Sequence, residues 1–249
     1  MSARYDIEAC HGDHYVYDRR TEERVAGPVP YPVAIFIART LSEPARGLLF
    51  PRYDGVMVDL ETMGTSSNAP VMAVGAVIFS PNDMDYCEND ALRFYMRVPL
   101  ASAMAAGAVP DASTIEWWLG QSDEARKELL AGERKELKDV LHSFRCFYRT
   151  ASLHLNQHKP APDGSERNGA CVWGNGATFD PVILENAYKS IGETAPWPYY
   201  RARCFRTVKD EYPKQDLDRV GTHHAALDDA VWQAQYLQLL EFKYGRELK

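Results

Sequence analysis

Residues 55–79, "GVMVDLETMGTSSNAPVMAVGAVIF", constrain the fold more than any other stretch. Two apolar runs, 56–61 and 71–79, flank a connector rich in Gly, Ser, Asn and Pro, the residues that turn a chain back on itself. A third strand candidate, 93–98, follows another turn-prone connection, so this part of the chain opens as an antiparallel meander. Within the first run stand two carboxylates, Asp59 and Glu61. Side chains alternate along a strand, so both acids face one way while Val56, Val58 and Leu60 face the other.

The rest of the chain supplies helices. "STIEWWLGQSDEARKELL" (113–130) starts with Ser113 and Glu116 in capping-box spacing and predicts one helix. From 134 to 155 the apolar residues Leu137, Val140, Leu141, Phe144, Tyr148, Ala151 and Leu155 recur at steps of three and four, which marks a packing helix. The polar run 156–170 reads as a long loop. "ACVWGNG" reads as a buried strand, "DPVILENAYKSIG" as a helix ending at Gly192, and "RCFRTVKDEYP" as a short helix stopped by Pro213. "HHAALDDAVWQAQYLQLLEFKYG" has the composition of a long final helix. Strands first, then strands mixed with helices, predict an α/β mixed sheet with helices on its faces. Residues 1–50 differ: "YDIEA" and "YVYDRR" read as strands and "VPYPVAIFIARTLSE" as a helix, a small ββα appendage joined by "PRYDG".

A chain of 249 residues with 45% hydrophobic content can bury one large core. It has no apolar run of about 18 residues and no signal-peptide pattern at its start, so we expect a cytoplasmic protein that does not enter a membrane. The five scattered cysteines form no CxxC pair, which argues against a disulfide framework or a zinc site. The net charge of −7 argues against long tracking along a duplex, so any nucleic-acid contact is expected to be local.

Two carboxylates brought together in a partly buried place call for a cation between them, yet a bare Asp-x-Glu also suits the solvated face of an edge strand. Asp180, before Pro181 at a helix start, suits an N-cap, and His and Asp at the start of the last helix suit a solvated or capped end. Specificity comes from the ordered set. "VDLETMGT", "GNGATFDPVIL" and "HHAALDDA" resemble the three motifs of the DEDD superfamily of 3′-5′ exonucleases, in its histidine-bearing branch, on the ribonuclease H-like fold. The likeness covers most of residues 54–241, and "TIEWWLGQSDEAR" and "PWPYYRARCFRTVK" are similar to segments of a small bacterial and phage branch that trims RNA.

This resemblance implies a mixed sheet of about five strands, in an exonuclease domain spanning 54–249. It implies that Asp59, Glu61, Asp180 and Asp229 hold two divalent cations, Mg²⁺ or Mn²⁺, with His224 as general base. His224 lies five residues before Asp229, as in the family pattern, and fits if it precedes the first regular helical turn; His223 with Asp228 fits less well. The implied substrate is a single-stranded RNA or DNA 3′ end, with Met63 under the terminal base and Gly64 against the 3′ terminus. The basic run contributes Arg203 and Arg206 as phosphate contacts, and Trp197 and Tyr199 are aromatics for stacking or for the core. Trp117 and Trp118 cannot share a helix face, which leaves one for the core and the other for a subunit interface, and so for a homodimer. Two rival readings remain at this point: a DNA-specific exonuclease, and a nucleic-acid-binding module that kept the fold without catalysis.

Overall fold

A computed structural model describes residues 5–10, 13–18, 23–29, 55–80, 92–158 and 169–244. Strands β1 (Tyr5–Cys10), β2 (Asp13–Asp18) and β3 (Glu23–Val29) form an antiparallel sheet in that order. The expected ββα unit thus gains a third strand. Gly27 and Pro28 hid it, because proline suits only the edge of a sheet, and β3 is that edge. All but Val29 of the helix expected over 29–43 lies outside the described residues.

The main sheet has five strands: β4 (Gly55–Thr62), β5 (Val71–Phe79), β6 (Arg93–Arg97), β7 (Cys171–Gly174) and β8 (Ala202–Cys204), in the order β6-β5-β4-β7-β8. The first three are antiparallel, with Asp59 opposite Gly75 and Ala76 opposite Phe94. β7 and β8 join in parallel, with Val56 beside Val172 and Trp173 beside Arg203. This is the mixed, helix-flanked ribonuclease H-like sheet that the motif order implied.

The helices are α1 (Leu100–Ala105), α2 (Ala112–Leu119), α3 (Asp123–Leu130), α4 (Leu137–His158), α5 (Asp180–Ser190), α6 (Phe205–Asp210) and α7 (Ala226–Tyr244). The single helix expected over 113–130 is two. The chain breaks at Gly120, and Ser122 caps α3 by accepting the Ala125 N–H at 3.2 Å. The expected capping box is not formed. α2 starts at Ala112, ahead of Ser113, and the Asp111 carboxylate at its cap position accepts the Thr65 N–H at 2.7 Å in place of its own helix's amides.

Strand alternation sorts the core into two layers. Val56, Val58 and Leu60 pack with Leu141, Phe144 and Tyr148 of α4 and with Ile183, Leu184 and Tyr188 of α5. Met57, on the opposite face, packs with Val77, Phe79, Phe205 and the α7 residues Ala230, Ala234 and Leu237. By the same parity Asp59 and Glu61 face α7. β3 of the small sheet packs on α4, away from that face. Among the described residues no helix is long and apolar enough to cross a membrane.

Candidate active site

The acids meet at the C-terminal ends of the parallel strands β4 and β7, the side of an α/β sheet where ligands bind. β4 contributes Asp59 and Glu61, and the first turn of α7 contributes Asp229. One carboxylate oxygen from each of these three lies within 4.8 Å of the others. Glu61 and Asp229 are buried, while Asp59 is partly so. Asp180 starts α5 one strand over and is 1% exposed. It does not serve as the N-cap, which is Phe179. Its Oδ1 accepts the Leu60 N–H at 3.1 Å and its Oδ2 the Asn175 N–H at 2.7 Å, which pins the carboxylate across the strand ends. Gly174 makes this approach feasible, since a Cβ there would stand 2.6 Å from Pro181 Cδ and 2.8 Å from Asp180 Cβ.

Burial and mutual repulsion set the charge state. Burial, with Asp229 and Asp180 nearby, pushes the Glu61 carboxyl up to about 9. Asp59 is raised well above its usual range by burial and then by Asp180, Glu61 and Asp229. Burial lifts Asp180 to about 6 against the pull of its two backbone amides. Asp229 is raised by burial and restrained by Arg219 and His224. Near neutral pH four such groups become fully ionised together only with positive charge among them. An oxygen-only donor set of converging carboxylates fits a hard divalent cation.

The third motif is arranged by one residue of left-handed backbone. His224 has φ +61°, and α7 begins only at Ala226, so His224 lies outside the helical register and reaches the cleft beside Asp229 despite the spacing of five. Its half-buried ring stands edge-on to Trp117, with centroids 4.8 Å apart. Burial lowers its pKa, opposed by the Asp229 carboxylate. His223 is exposed at the cleft rim, its Nδ1 3.0 Å from Arg219 Nη1. Asp228 turns the other way. Its Oδ2 accepts the Thr222 N–H at 2.7 Å and so closes the loop before α7.

The expected substrate residues separate. Gly64 and Arg206 line the cleft. Arg206 donates to the Asn175 carbonyl at 2.9 Å and lies near Asp180. Met63 does not line it. The strand pairing slips between Glu61 and Thr62, which breaks the alternation that would have put Met63 beside the acids, and its side chain packs with Met72, Trp118 and Leu129 instead. Arg203 is exposed on β8 and donates to the Tyr200 and Ala202 carbonyls, away from the cleft. Trp197 is 4% exposed within the α4/α5 layer, so it belongs to the core, whereas Tyr199 is exposed.

Of the tryptophan pair, Trp118 is the core residue and donates to the Thr62 carbonyl at 3.0 Å. Trp117 is 45% exposed and lines the cleft beside His224. Three further residues enter the site that the motifs did not single out. Arg219 Nη1 lies 2.6 Å from Asp229 Oδ1. Gln233 Nε2 donates to Asp59 Oδ1 at 2.7 Å, while its Oε1 is buried without a partner. Asn175 likewise has a buried, unpartnered Oδ1 at the cleft. Gln233 was within reach of sequence reasoning, because it follows Asp229 by four and so shares its helix face.

Residues 54–240 match the family model described as a 3′-5′ exoribonuclease Rv2179c-like domain. An exodeoxyribonuclease of Enterobacteria phage T4 is 27% identical over 143 residues, which cover 54% of this chain and 56% of that protein. The chain thus spans about half the length of this curated relative.

Proposed function

The chain belongs to the Rv2179c-like family of 3′-5′ exoribonuclease domains, and on that premise we propose that it removes nucleotides from single-stranded RNA 3′ ends. The observation that carries the reading is the convergence of three carboxylates from two elements on one point, facing Asp180 and beside His224. Asp59, Glu61, Asp180 and Asp229 would hold two divalent cations, Mg²⁺ or Mn²⁺. Such ions supply Lewis-acid stabilisation of the phosphate and lower the pKa of water.

The chain's own residues do the rest. His224 accepts the proton of the attacking water as its oxygen bonds to phosphorus; the P–O3′ bond then breaks and the leaving O3′ takes a proton from solvent, giving a nucleoside 5′-monophosphate and a strand with a new 3′ hydroxyl, while the imidazolium returns its proton to solvent. Its pKa, held below the ordinary imidazole range by burial, keeps the ring unprotonated and able to accept at neutral pH. Gln233 orients Asp59, and the Leu60 and Asn175 amides orient Asp180. Trp117 walls one side of the cleft and packs edge-on against the His224 ring. Arg206 and Arg219 flank the acids at opposite ends, next to Asp180 and Asp229, where a terminal phosphate would meet them.

The phage relative's description as an exodeoxyribonuclease supports a second reading, DNA as the substrate. End-labelled single-stranded RNA, single-stranded DNA and 3′-overhang duplexes, each incubated with the protein and Mg²⁺ or Mn²⁺, separate the two. Ladders that shorten from the 3′ end, faster on RNA, are expected. Faster shortening of DNA would reverse the choice of sugar, and no cleavage of any strand would refute the exonuclease. Asp59→Ala, Asp180→Ala and Asp229→Ala should each abolish laddering with the fold intact by circular dichroism. His224→Ala should cost roughly 100-fold; full activity there, with loss in His223→Ala, would exchange the two histidines' roles.

A further inference from the structure

Beside the catalytic cleft lies a second groove, and we propose that this groove carries the strand upstream of the terminal nucleotide. The inference rests on the exonuclease reading above.

Three elements line both spaces. On α6, Arg206 stands at the cleft, while Lys209 and Asp210, one turn along, stand in the groove. On α7, Asp229 belongs to the cleft, whereas Trp232 and Tyr236 belong to the groove. These three lie at i, i+3 and i+7 on one helix face, spaced over about 10 Å at 1.5 Å per residue. The segment before α7 repeats the pattern, with Lys214 and Leu217 in the groove and Arg219 in the cleft. Arg219, a cleft residue, stands between the two spaces. Its Nη1 is 2.6 Å from Asp229 Oδ1, and its guanidinium carbon is 4.7 Å from the centre of the Trp232 ring.

A strand with its 3′ end among the acids must leave the cleft somewhere. This groove offers cations for phosphates and, for bases, the partly exposed rings of Tyr212, which stacks on Tyr244, and of Trp232, which lies under Arg219. Lys209 is partly answered by Asp210 at 3.9 Å, but Lys214 is exposed and no acid pairs with it among the described residues. Asp216 also lines the groove, so the grip comes from a few point contacts and not from a broad positive field. About 10 Å accommodates about three nucleotides at the 3.4 Å spacing of a stacked strand. An acidic protein can thereby hold more than the terminal residue without tracking a duplex.

The test uses the full chain, with and without Lys209→Gln/Lys214→Gln, and thermal melting to check the fold. Binding of 5′-labelled, cleavage-resistant phosphorothioate RNAs of two and ten nucleotides is followed by fluorescence anisotropy from 50 to 200 mM salt with Mg²⁺. Two lost phosphate contacts on a single strand flatten the slope of log affinity against log salt by about 1.4. Across that range wild type should therefore lose about sevenfold more decamer affinity than the variant, whereas the two proteins should show the same slope on the dinucleotide. Equal slopes on the decamer, or an equal change on both lengths, would overturn the upstream track. Cleavage of the unmodified decamer is measured in parallel. Cleavage with equal slopes sinks the groove and spares the exonuclease; a flattened slope in a protein that cuts nothing sinks the exonuclease and spares the groove.

Discussion

Gly75→Ala should misplace half of the active site from the middle of a strand that does not line the cleft. Gly75 lies opposite Asp59 in the sheet, on the face that α7 covers. A Cβ added there would stand 2.2 Å from the Ala226 carbonyl carbon and from the Leu227 nitrogen. Both are backbone atoms at the start of α7, so no side chain can swing aside to relieve the clash. Restoring a 3.4 Å contact moves the first turn of α7 by about 1.2 Å relative to β5, and Asp229 and His224 move with it. A displacement of about 1 Å at reacting groups costs on the order of 100-fold in rate. The overpacking itself costs about 1–3 kcal/mol, a fall of a few degrees in Tm for a domain of this size. Turnover of a short 3′-labelled strand and a thermal melt measure the two effects together. Gly55→Ala serves as the control, because its Cβ would meet only the Phe79 ring at 2.6 Å, remote from the acids; it should lose stability with little loss of turnover. Wild-type turnover in Gly75→Ala would refute the claim that this close approach positions the third motif.

The raised carboxylates make three further tests. Groups with raised folded-state pKa values bind more protons folded than unfolded, so the stability they contribute is present below about pH 4.5 and is lost as pH rises through about 6 for Asp180 and about 9 for Glu61. Without divalent ions, melting temperature should therefore fall between pH 5 and 9. Added Mn²⁺ should raise it more at pH 8 than at pH 6, and an equal rise at both would count against cation binding by these acids. Cation binding should also release protons at pH 7, seen as calorimetric heats that change with the buffer's ionisation enthalpy. Gln233→Met keeps the buried volume but removes the bond to Asp59; we expect a 10–100-fold weaker affinity for Mn²⁺ by titration calorimetry, the range for lost outer-shell partners. Unchanged affinity would leave Gln233 as packing alone.

How much of this was legible in the chain follows from the range of the forces involved. Alternation is a local rule, so the shared direction of Asp59 and Glu61 and the antiparallel opening of the sheet could be read from 25 residues. The three-to-four spacing from Leu137 onward likewise defined the buried face of α4. Met63, which the resemblance placed under the terminal base, packs in the core because the pairing with β5 slips there, a property of two strands and not of one. The capping box failed for a related reason: Asp111 at the helix start found a partner in Thr65, 46 positions away.

Sequence by itself determined the antiparallel opening of the main sheet, its two-faced character and the longer helices, because periodicity and order are carried by neighbouring residues. Tertiary structure alone decided which groups complete the site. Gln233 meets Asp59 across 174 positions, Arg219 divides its contacts between Asp229 and Trp232, and Trp117 covers His224 from a different element. Such contacts are chosen by the closure of α7 over β4 and β5. That closure depends on a missing side chain at Gly75, and no local pattern records what an absent side chain leaves room for.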